Sequence, residues 1–422
     1  MKKVVGILAI AIILIIVLLY ISVGSTSKKQ DTCHILNFSQ IDTVNFKNYK
    51  TVTVSASNLY EAGFIKKLMQ GENYRDAWNT PVKTPILFLD TLYGGIQILK
   101  EGGGHQTQSL RLQANNGIIY TLRSINKNPA PLIPEFAKTL GLQNIVIDGI
   151  SSQHPYAAPV VAELANNAKI LHTHPKMFFV PKQESLKEYN DNYGNRLYYL
   201  EYENKGSVNW TTIDSIFTII DTEDLQELKM KSRKNLHIHK PTLIRARLFD
   251  LIIGDWDRHA KQWGWAVQKI NEKYTAYPIA TDRDNAFFKM DGFVPSIISN
   301  KNVLEQLRPF DEKIEHIDGL VYDFDVYFLY QTSEIEFIQQ AQKLQELLTD
   351  EAIEKAFSVW NEELYKHDGA SIIHKIKTRR DNLINISKRF KRAIDKKPLL
   401  NSPLKGCERK DVDENLLKCF EC

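Results

Sequence analysis

Two polar runs in the middle of the chain carry the residue types that phosphoryl transfer requires. They are GDWDRHAKQW, residues 254–263, and ATDRDNAF, residues 280–287. Such a transfer needs a carboxylate near the attacking hydroxyl, together with hard oxygen ligands that hold a divalent metal ion on the phosphates. We predict that Asp257 and Arg258 are catalytic. The predicted metal ligands, all oxygen donors, are Gln262, Asp282 and Asp284, of which Asp284 is expected to matter less than Asp282.

The spacing of apolar residues predicts how these runs are held. Ile244, Leu248 and Ile252 recur at helical spacing, and Gly254 is a helix stop. A strand that starts near Tyr274 then leads into the second run. A capping loop followed by an acidic hairpin would explain each run alone, but their order along the chain favours a catalytic site.

A glycine-rich hairpin precedes these runs. Gly102 to Gly104 lie between two predicted strands, and Asn115, Asn116 and Gly117 form a turn into a third strand. Such a loop brings backbone N–H groups close to phosphate oxygens, and nearby hydroxyls add donors. The predicted phosphate contacts are Gly102, Gly103, Gly104, Gln106, Thr107 and Ser109.

These runs, with GENYRDAWNTPV and YTLRS, resemble an uncharacterised bacterial family of kinase-like proteins over roughly residues 71–391. The D-R-H and D-x-x-x-A-F patterns also resemble those of the atypical kinases: the Golgi casein kinase, spore-coat kinase, HipA and phosphoinositide kinase groups. The resemblance implies an α+β, two-lobed protein-kinase-like fold with an antiparallel-sheet N-lobe and a mainly helical C-lobe. It also implies that ATP and Mg²⁺ or Mn²⁺ bind between the lobes.

In that arrangement the third strand carries a cation for the α- and β-phosphates. The usual lysine is replaced by Arg123, whose planar guanidinium binds phosphate with a different geometry. Thr121 lies on the same face by alternation and is predicted to line the adenine pocket. Lys127 is a possible substitute cation, although its place at the strand end favours solvent.

The resemblance also implies an acidic partner for Arg123 on a following helix. Glu135 and Glu163 are both candidates, and the sequence does not choose between them. A strand over residues 196–203 then leads to the connection between the lobes. Glu201 and Tyr202 are the candidates for backbone contacts to adenine there.

The N-terminus predicts a membrane helix. Val4 to Val23 is almost wholly apolar, and about 20 such residues span a bilayer core. An uncleaved signal-anchor is favoured over a cleaved signal peptide because the apolar run is long. With lysines on both sides, orientation is weakly specified, and we expect the rest of the chain outside the cytoplasm.

The composition and net charge of the chain exclude few other functions. The net charge is +4, and no nucleic-acid signature is present, so we expect no nucleic-acid partner. Two His-x-His pairs, at 172/174 and 237/239, allow zinc, but structural histidines are favoured. An even number of cysteines outside the cytoplasm predicts disulfides of undetermined connectivity. These cysteines are Cys33, Cys407, Cys419 and Cys422. A solvated face is favoured for the basic stretch from Lys375 to Lys397.

We therefore expect a signal-anchor over 1–24, a juxtamembrane segment over 25–58, an N-lobe over 59–203, a C-lobe over 204–397 and a cysteine-containing tail over 398–422. The favoured function is an anchored kinase that transfers the γ-phosphoryl of a nucleotide to a hydroxyl of a protein, lipid or glycan. A pseudokinase is the alternative, since Arg123 departs from the pattern and a periplasm holds little ATP. Nucleotidyl transfer on the same fold is a third, and would need the nucleotide to bind flipped.

Overall fold

The strands in the described part of the chain form three sheets. The computed structural model describes residues 2–24, 33–36, 38, 41–102, 107–408 and 412–421. The first sheet has the order β1-β2-β3, the second β4-β5-β6-β8-β7 and the third β10-β12-β11-β9. The strands are β1 (His34–Ile35), β2 (Thr51–Ser55), β3 (Val82–Pro85), β4 (Ile96–Gly102), β5 (Thr107–Ala114), β6 (Ile119–Lys127), β7 (Lys176–Val180), β8 (Arg196–Tyr202), β9 (Ile216–Asp221), β10 (Leu236–Ile238), β11 (Trp263–Ile270) and β12 (Lys273–Ala280).

Helices precede, separate and follow these sheets. They are α1 (Lys2–Gly24), α2 (Phe64–Gln70), α3 (Arg75–Asn79), α4 (Glu135–Thr139), α5 (Gln143–Asp148), α6 (Ala157–Asn167), α7 (Asn190–Tyr193), α8 (Thr222–Ser232), α9 (Lys240–Ile253), α10 (Phe293–Ile298), α11 (Asp323–Leu329), α12 (Glu334–Leu347), α13 (Asp350–Ala356), α14 (Glu362–Leu364), α15 (Ala370–Asp381), α16 (Leu383–Lys396) and α17 (Glu414–Lys418). The chain is thus a mixed helix-and-sheet protein. The basic stretch, for which a solvated face was favoured, lies in α15 and α16, and Arg379 and Lys391 within it are buried.

The second sheet has one apolar and one polar face. Leu110, Leu112, Leu122 and Leu200 pack together on one side, as alternation along a strand requires. Gly117, with φ +83°, closes the predicted turn between β5 and β6. All pairs in this sheet are antiparallel, whereas β10 and β12 in the third sheet are parallel.

Helix α9 is the buried element on which the larger core is built. Leu248, Phe249 and Ile252 are fully buried in that core. The helix ends at Gly254 as predicted, with φ +70° and the Gly254 N–H bonded to the Asp250 carbonyl. A Cβ at this position would lie 2.5 Å from the Phe310 ring, so both the backbone conformation and the space require glycine.

Residues on both sides of the predicted lobes join the folded body. Strand β2 lies in the expected juxtamembrane segment, yet it pairs with β3 in the expected N-lobe. The expected C-terminal tail packs on α11: the Phe420 N–H donates to the Tyr327 carbonyl at 3.0 Å, and its ring lies 5.2 Å from that of Phe328.

The N-terminal helix α1 is long and apolar enough to cross a membrane. Its mean hydropathy is 3.4, and its most apolar window is 0% buried against the rest of the chain. Length and composition alone support this, and a signal sequence has the same properties.

Candidate active site

Arg123 connects the polar face of the second sheet to the end of β12. Its Nη2 lies 2.5 Å from Glu201 Oε1 on β8, the strand that pairs with β6. On the other side its Nη1 pairs with Asp282 and lies 3.8 Å from Asp284 Oδ2. This guanidinium, whose side chain is 12% exposed, therefore joins a carboxylate of the second sheet to two carboxylates that follow β12 of the third sheet.

The two carboxylates that follow β12 have different surroundings. Asp284 also pairs with Lys127 at 3.0 Å, so Lys127 is not the solvated side chain that the sequence favoured. Burial would raise the pKa of Asp284, but Arg123 and Lys127 outweigh it and hold that pKa well below its ordinary value. Burial raises the pKa of Asp282, Arg123 opposes that shift, and the Asp284 carboxylate adds to it.

The backbone of the second run is held in an uncommon conformation. Asp282 has φ +49° and Phe287 has φ +62°, both in the left-handed region that non-glycine residues rarely adopt. Phe287 is fixed from several sides: its N–H donates to the Ile253 carbonyl at 2.8 Å, its carbonyl accepts from the Tyr74 hydroxyl, and its ring is fully buried. These contacts attach the run to the end of α9 and sustain its strained residues.

Asp250 on α9 joins the two polar runs through their arginines. Arg258 of the first run places Nε 3.1 Å from Asp250 Oδ2, and Arg283 of the second places Nε 3.0 Å from Oδ1. Arg247 adds a third ion pair at 3.0 Å and also pairs with Asp325 at 2.6 Å. Sequence reasoning missed Asp250 because it reads as one polar residue within an apolar helix.

Arg258 makes all of its described contacts within the chain. Its side chain is fully buried, and it donates to the Thr281 carbonyl at 2.8 Å and to the Gln262 carbonyl at 3.1 Å. Its guanidinium also stacks on Trp263 at 4.7 Å. These bonds hold the first run against the residue that precedes Asp282, and the catalytic role predicted for Arg258 stays a prediction.

Asp257 stands at the more open side of the first run. Its N–H donates to Asp255 Oδ1 at 3.3 Å, and its carboxylate lies 3.8 Å from His259 Nε2. Burial lowers the pKa of His259, although Asp257 opposes that shift. By contrast, Asp255 is buried, and burial raises its pKa to about 8 against the influence of Arg258. Of these two acids, Asp257 is the one whose exposure suits contact with a substrate.

The donor set at the cleft fits a hard divalent cation. Asp282 and Asp284 supply carboxylate oxygens, and the Thr281 N–H bonded to the Gln262 carbonyl at 3.0 Å brings Gln262 next to them. Mg²⁺ and Mn²⁺ prefer such oxygen donors. Among the described residues no group of three or more His, Cys, Asp and Glu side chains forms a preformed metal cage.

The glycine-rich loop is described only at its edges. Gly102 ends β4 opposite Ser109, and Thr107 begins β5. Ser109 also lies directly opposite Arg123 and so shares its face of the sheet. Gly103, Gly104 and Gln106 lie outside the described residues, so their predicted phosphate contacts stay predictions.

The residues predicted around adenine make contacts of their own. Thr121 donates its hydroxyl to the Glu203 carboxylate, and the Tyr202 ring stacks on Trp210 at 4.7 Å. The Tyr202 N–H already donates to the Thr173 carbonyl at 2.8 Å, so it is not a free donor for adenine. Glu201 directs its carboxylate at Arg123 and accepts from the Thr173 hydroxyl at 2.5 Å.

The expected helical partner for Arg123 was wrong. Glu135 is exposed and pairs with Lys138 at 3.1 Å, and Glu163 is exposed on α6, whereas Glu201 on β8 makes the ion pair. Burial raises the pKa of Glu201 to about 7 even though Arg123 lowers it. Strand β8 pairs with β6 so that Thr121 lies opposite Glu201, which places Glu201 diagonally across from Arg123, and this register is not visible in the sequence.

The histidines and two of the cysteines have structural surroundings. His172 is buried, and its Nε2 lies 2.9 Å from Asn166 Oδ1, which agrees with the favoured structural role. Burial and the neighbouring His174 lower the pKa of His172 well below its ordinary value. Cys33 and Cys407 are free, buried thiols, so the expected disulfides are wrong for these two. Cys422 lies outside the described residues, and pairing at the C-terminus stays a prediction.

Comparison with known proteins finds distant structural neighbours. No family model matches the chain, and no curated protein does. A Helicobacter pylori proinflammatory kinase, CtkA, aligns at 16% identity over 72% of this chain and 96% of its own, with a TM-score of 0.36. The toxin–antitoxin complex of HipA, HipB and operator DNA from Shewanella oneidensis aligns at 12% identity over 72% of this chain and 68% of its own, with a TM-score of 0.34. At such TM-scores the likeness carries no argument about the site, which rests on its own geometry.

Proposed function

We propose that this chain is a membrane-anchored, kinase-like phosphotransferase that moves the γ-phosphoryl group of ATP to a hydroxyl of a protein, lipid or glycan. The observation that carries the proposal is the contact of Arg123 with Glu201 on one side and with Asp282 and Asp284 on the other. A cation between a supporting acid and two metal-binding acids is the arrangement that holds nucleotide phosphates and their metal ion.

Each residue has a defined part in this proposal. Arg123, held by Glu201, would turn from the two aspartates to the phosphate oxygens when nucleotide enters. Asp282, with Asp284 and Gln262, would hold Mg²⁺ or Mn²⁺, which supplies charge neutralisation on the phosphates. Asp257 would orient and deprotonate the acceptor hydroxyl. Arg258 and Arg283 would keep both runs in register through Asp250.

A pseudokinase is the second candidate, and one observation favours it. The cavity between Arg123, Glu201 and the aspartates measures only about 20 Å³, roughly the space of a single water molecule. Arg123 occupies the place where phosphate would lie, so nucleotide binding requires the carboxylates to release it. A chain that keeps this ion-pair cluster closed would not catalyse transfer.

One experiment separates the two candidates. The full chain, purified in detergent, is mixed with ATP labelled in the γ-phosphoryl group and a panel of protein, lipid and glycan acceptors, with Mg²⁺ or Mn²⁺ or with EDTA. Metal-dependent binding together with label transfer supports the kinase, whereas binding without transfer supports the pseudokinase. A chain that binds no nucleotide under any condition contradicts the kinase and supports a pseudokinase whose ion-pair cluster stays closed.

Anchoring through α1, with the remaining residues outside the cytoplasm, belongs to the same proposal. Its support is the length and apolarity of α1, which is unburied along its most apolar window. A reporter fused after Leu404 should be active only outside the cytoplasm. Activity restricted to the cytoplasm would contradict this orientation and leave the proposed transfer reaction untouched.

A further inference from the structure

Three short helices near the end of α1 expose apolar pairs to solvent. Each pair is spaced by four residues and so lies on one side of its segment. On α2 the pair is Phe64 and Leu68, on α4 and the turn after it Phe136 and Leu140, and on α10 Phe293 and Ile297. Their exposed fractions are 79% and 51%, 66% and 52%, and 43% and 53% in that order. Scattered exposed apolar residues are ordinary, but three such pairs on neighbouring helices form a patch.

The contacts of α1 place two of these pairs beside the membrane helix. Gln70 at the end of α2 donates to the Ser22 hydroxyl at 3.0 Å, and the Tyr20 hydroxyl donates to the Leu140 carbonyl at 3.0 Å. Asn144 on α5 donates to the Val23 carbonyl at 3.1 Å. The last turn of α1 is thus bonded to the segments that carry the exposed apolar residues.

The third pair is brought to the same place through α2. Gly292, which precedes α10, approaches Gly71, which ends α2, so closely that a Cβ on Gly292 would lie 2.3 Å from the Gly71 nitrogen. The Asn73 N–H also donates to the Asp291 carboxylate at 3.2 Å. Helix α10 is therefore fixed against α2, on the side of the body where α1 leaves it.

We propose that these six residues form a membrane collar, which inserts into the boundary between headgroups and acyl chains of the bilayer that α1 crosses. The proposal rests on the anchoring role of α1 and is independent of phosphoryl transfer. A bilayer is favoured as the occupant because the patch is continuous with α1, whose apolar surface needs lipid. Phenylalanine and leucine on short amphipathic segments, with Lys67 and Lys138 on the same helices, match the composition of interfacial helices.

The collar would restrict how the anchored body can orient above the bilayer. A single helix and a flexible segment would let the catalytic body move freely above the membrane. With α1 bonded to α2, α4 and α5, and with three apolar pairs in the interface, the body would keep one orientation to the bilayer. The candidate site would then meet acceptors at a fixed height, such as lipid headgroups or juxtamembrane segments of other proteins.

Tryptophan substitution in vesicles tests the collar. Phe64→Trp, Phe136→Trp and Phe293→Trp are made in the full chain, each reconstituted in phosphatidylcholine–phosphatidylglycerol vesicles with brominated or ordinary acyl chains. Phe217→Trp is the matched control, because Phe217 is an exposed phenylalanine, at 56%, on β9 of the third sheet. Brominated chains should remove roughly half or more of the emission that each collar tryptophan adds, and little of that from residue 217.

Three results would overturn the collar. Collar tryptophans that behave like the control in a chain that floats with the vesicles would show that the body stands clear of lipid. Tryptophans shielded from both brominated lipid and aqueous acrylamide would assign the patch to another copy of the chain. A chain that does not float with the vesicles would contradict both the membrane anchor and the collar. None of these measurements uses nucleotide, so the outcome is separate from that of the kinase assay.

Discussion

Two clusters of arginine and aspartate lie next to each other in this protein and differ in how far their side chains are exposed to solvent. The cluster around Asp250 joins Arg247, Arg258 and Arg283, and the side chains in it are at most 5% exposed. The cluster around Arg123 is more open, since the Asp282 side chain is 37% exposed and Asp284 is 15% exposed. The side chains of the first cluster are shielded from solvent, and those of the second are partly open to it.

This difference in exposure distinguishes a cluster that supports the fold from a cluster that can take part in binding and transfer. Buried charges are tolerated only with close partners, so removal of one member leaves the others uncompensated and costs folding free energy. Partly exposed charges can exchange one partner for another, because water and ions compensate them during the exchange. We therefore expect substitutions around Asp250 to act on stability, and substitutions around Arg123 to act on binding and transfer.

The largest effect is expected from Asp250→Asn. It removes the carboxylate that pairs with three buried guanidinium groups, and the loss in unfolding free energy should be about 3–5 kcal/mol. Thermal unfolding of the full chain in detergent measures it. Asp311→Asn is the matched control, because Asp311 is 68% exposed and pairs only loosely with Lys375 at 3.5 Å. Equal melting temperatures for the two variants would contradict the supporting role of Asp250.

Asp282→Asn should abolish transfer while the fold persists. Asparagine tolerates the left-handed backbone at this position, so stability changes little, but the metal loses a charged ligand. We expect transfer to fall by roughly 10³-fold and metal-dependent nucleotide binding to weaken. Asp284→Asn should have a smaller effect on both, as measured by calorimetry and single-turnover assays. If Asp284→Asn destroys metal binding while Asp282→Asn spares it, the assignment is wrong by two residues.

Asp257→Asn should separate catalysis from nucleotide binding. Asp257 is 27% exposed and makes no ion pair with Arg123, so nucleotide affinity should remain close to that of the parent. Turnover should fall by about 10²-fold, because the acceptor hydroxyl loses its base. A parallel loss of affinity would place Asp257 at the metal instead. If Asp257→Asn, Asp282→Asn and Asp284→Asn all leave binding and transfer unchanged in a folded protein, the enzyme proposal fails.

Arg123→Ala should weaken nucleotide binding by roughly 1.5–3 kcal/mol, the value of a charge-assisted hydrogen bond. Arg123→Lys keeps the charge without the planar fork and should retain part of the affinity. Because both variants disturb the pairs with Glu201 and Asp282, melting temperatures are measured beside the affinities. Binding by Arg123→Ala as tight as that of the parent would show that the cleft is misassigned.

The smallest effect is expected from Asp255→Asn and depends on pH. The pKa of Asp255 is raised from 3.8 to about 8, so between these values the folded state binds a proton that the unfolded state has lost. Stability contributed by the protonated form is therefore lost as pH rises through this window. Asparagine removes that titration, and we expect the melting temperature of the parent to fall several degrees further than that of the variant between pH 5 and pH 9. Parallel melting curves across this range would contradict the raised pKa.

The sequence by itself determined the local elements around the site. Helical spacing and Gly254 predicted the end of α9, the Asn-Asn-Gly turn predicted the hairpin of β5 and β6, and alternation placed Thr121 and Arg123 on one face. All are confirmed. These features depend on residues within one turn or one strand pair, where period and backbone preference act directly. The chemistry assigned to Asp257, Asp282 and Gln262 came from the same local patterns and stays a prediction.

Only the tertiary structure decided which distant charges meet. In the second sheet β8 lies between β6 and β7, directly beside the strand that carries Arg123. Because of this strand order, Arg123 pairs with Glu201 and not with Glu135 or Glu163. Likewise, Asp250 looks like one acid in an apolar helix until Arg258, Arg283 and Arg247 surround it. Sequence spacing carries no information about such contacts, because strand order and helix packing are set by burial of the whole apolar core and the charges must then pair with whatever it brings near.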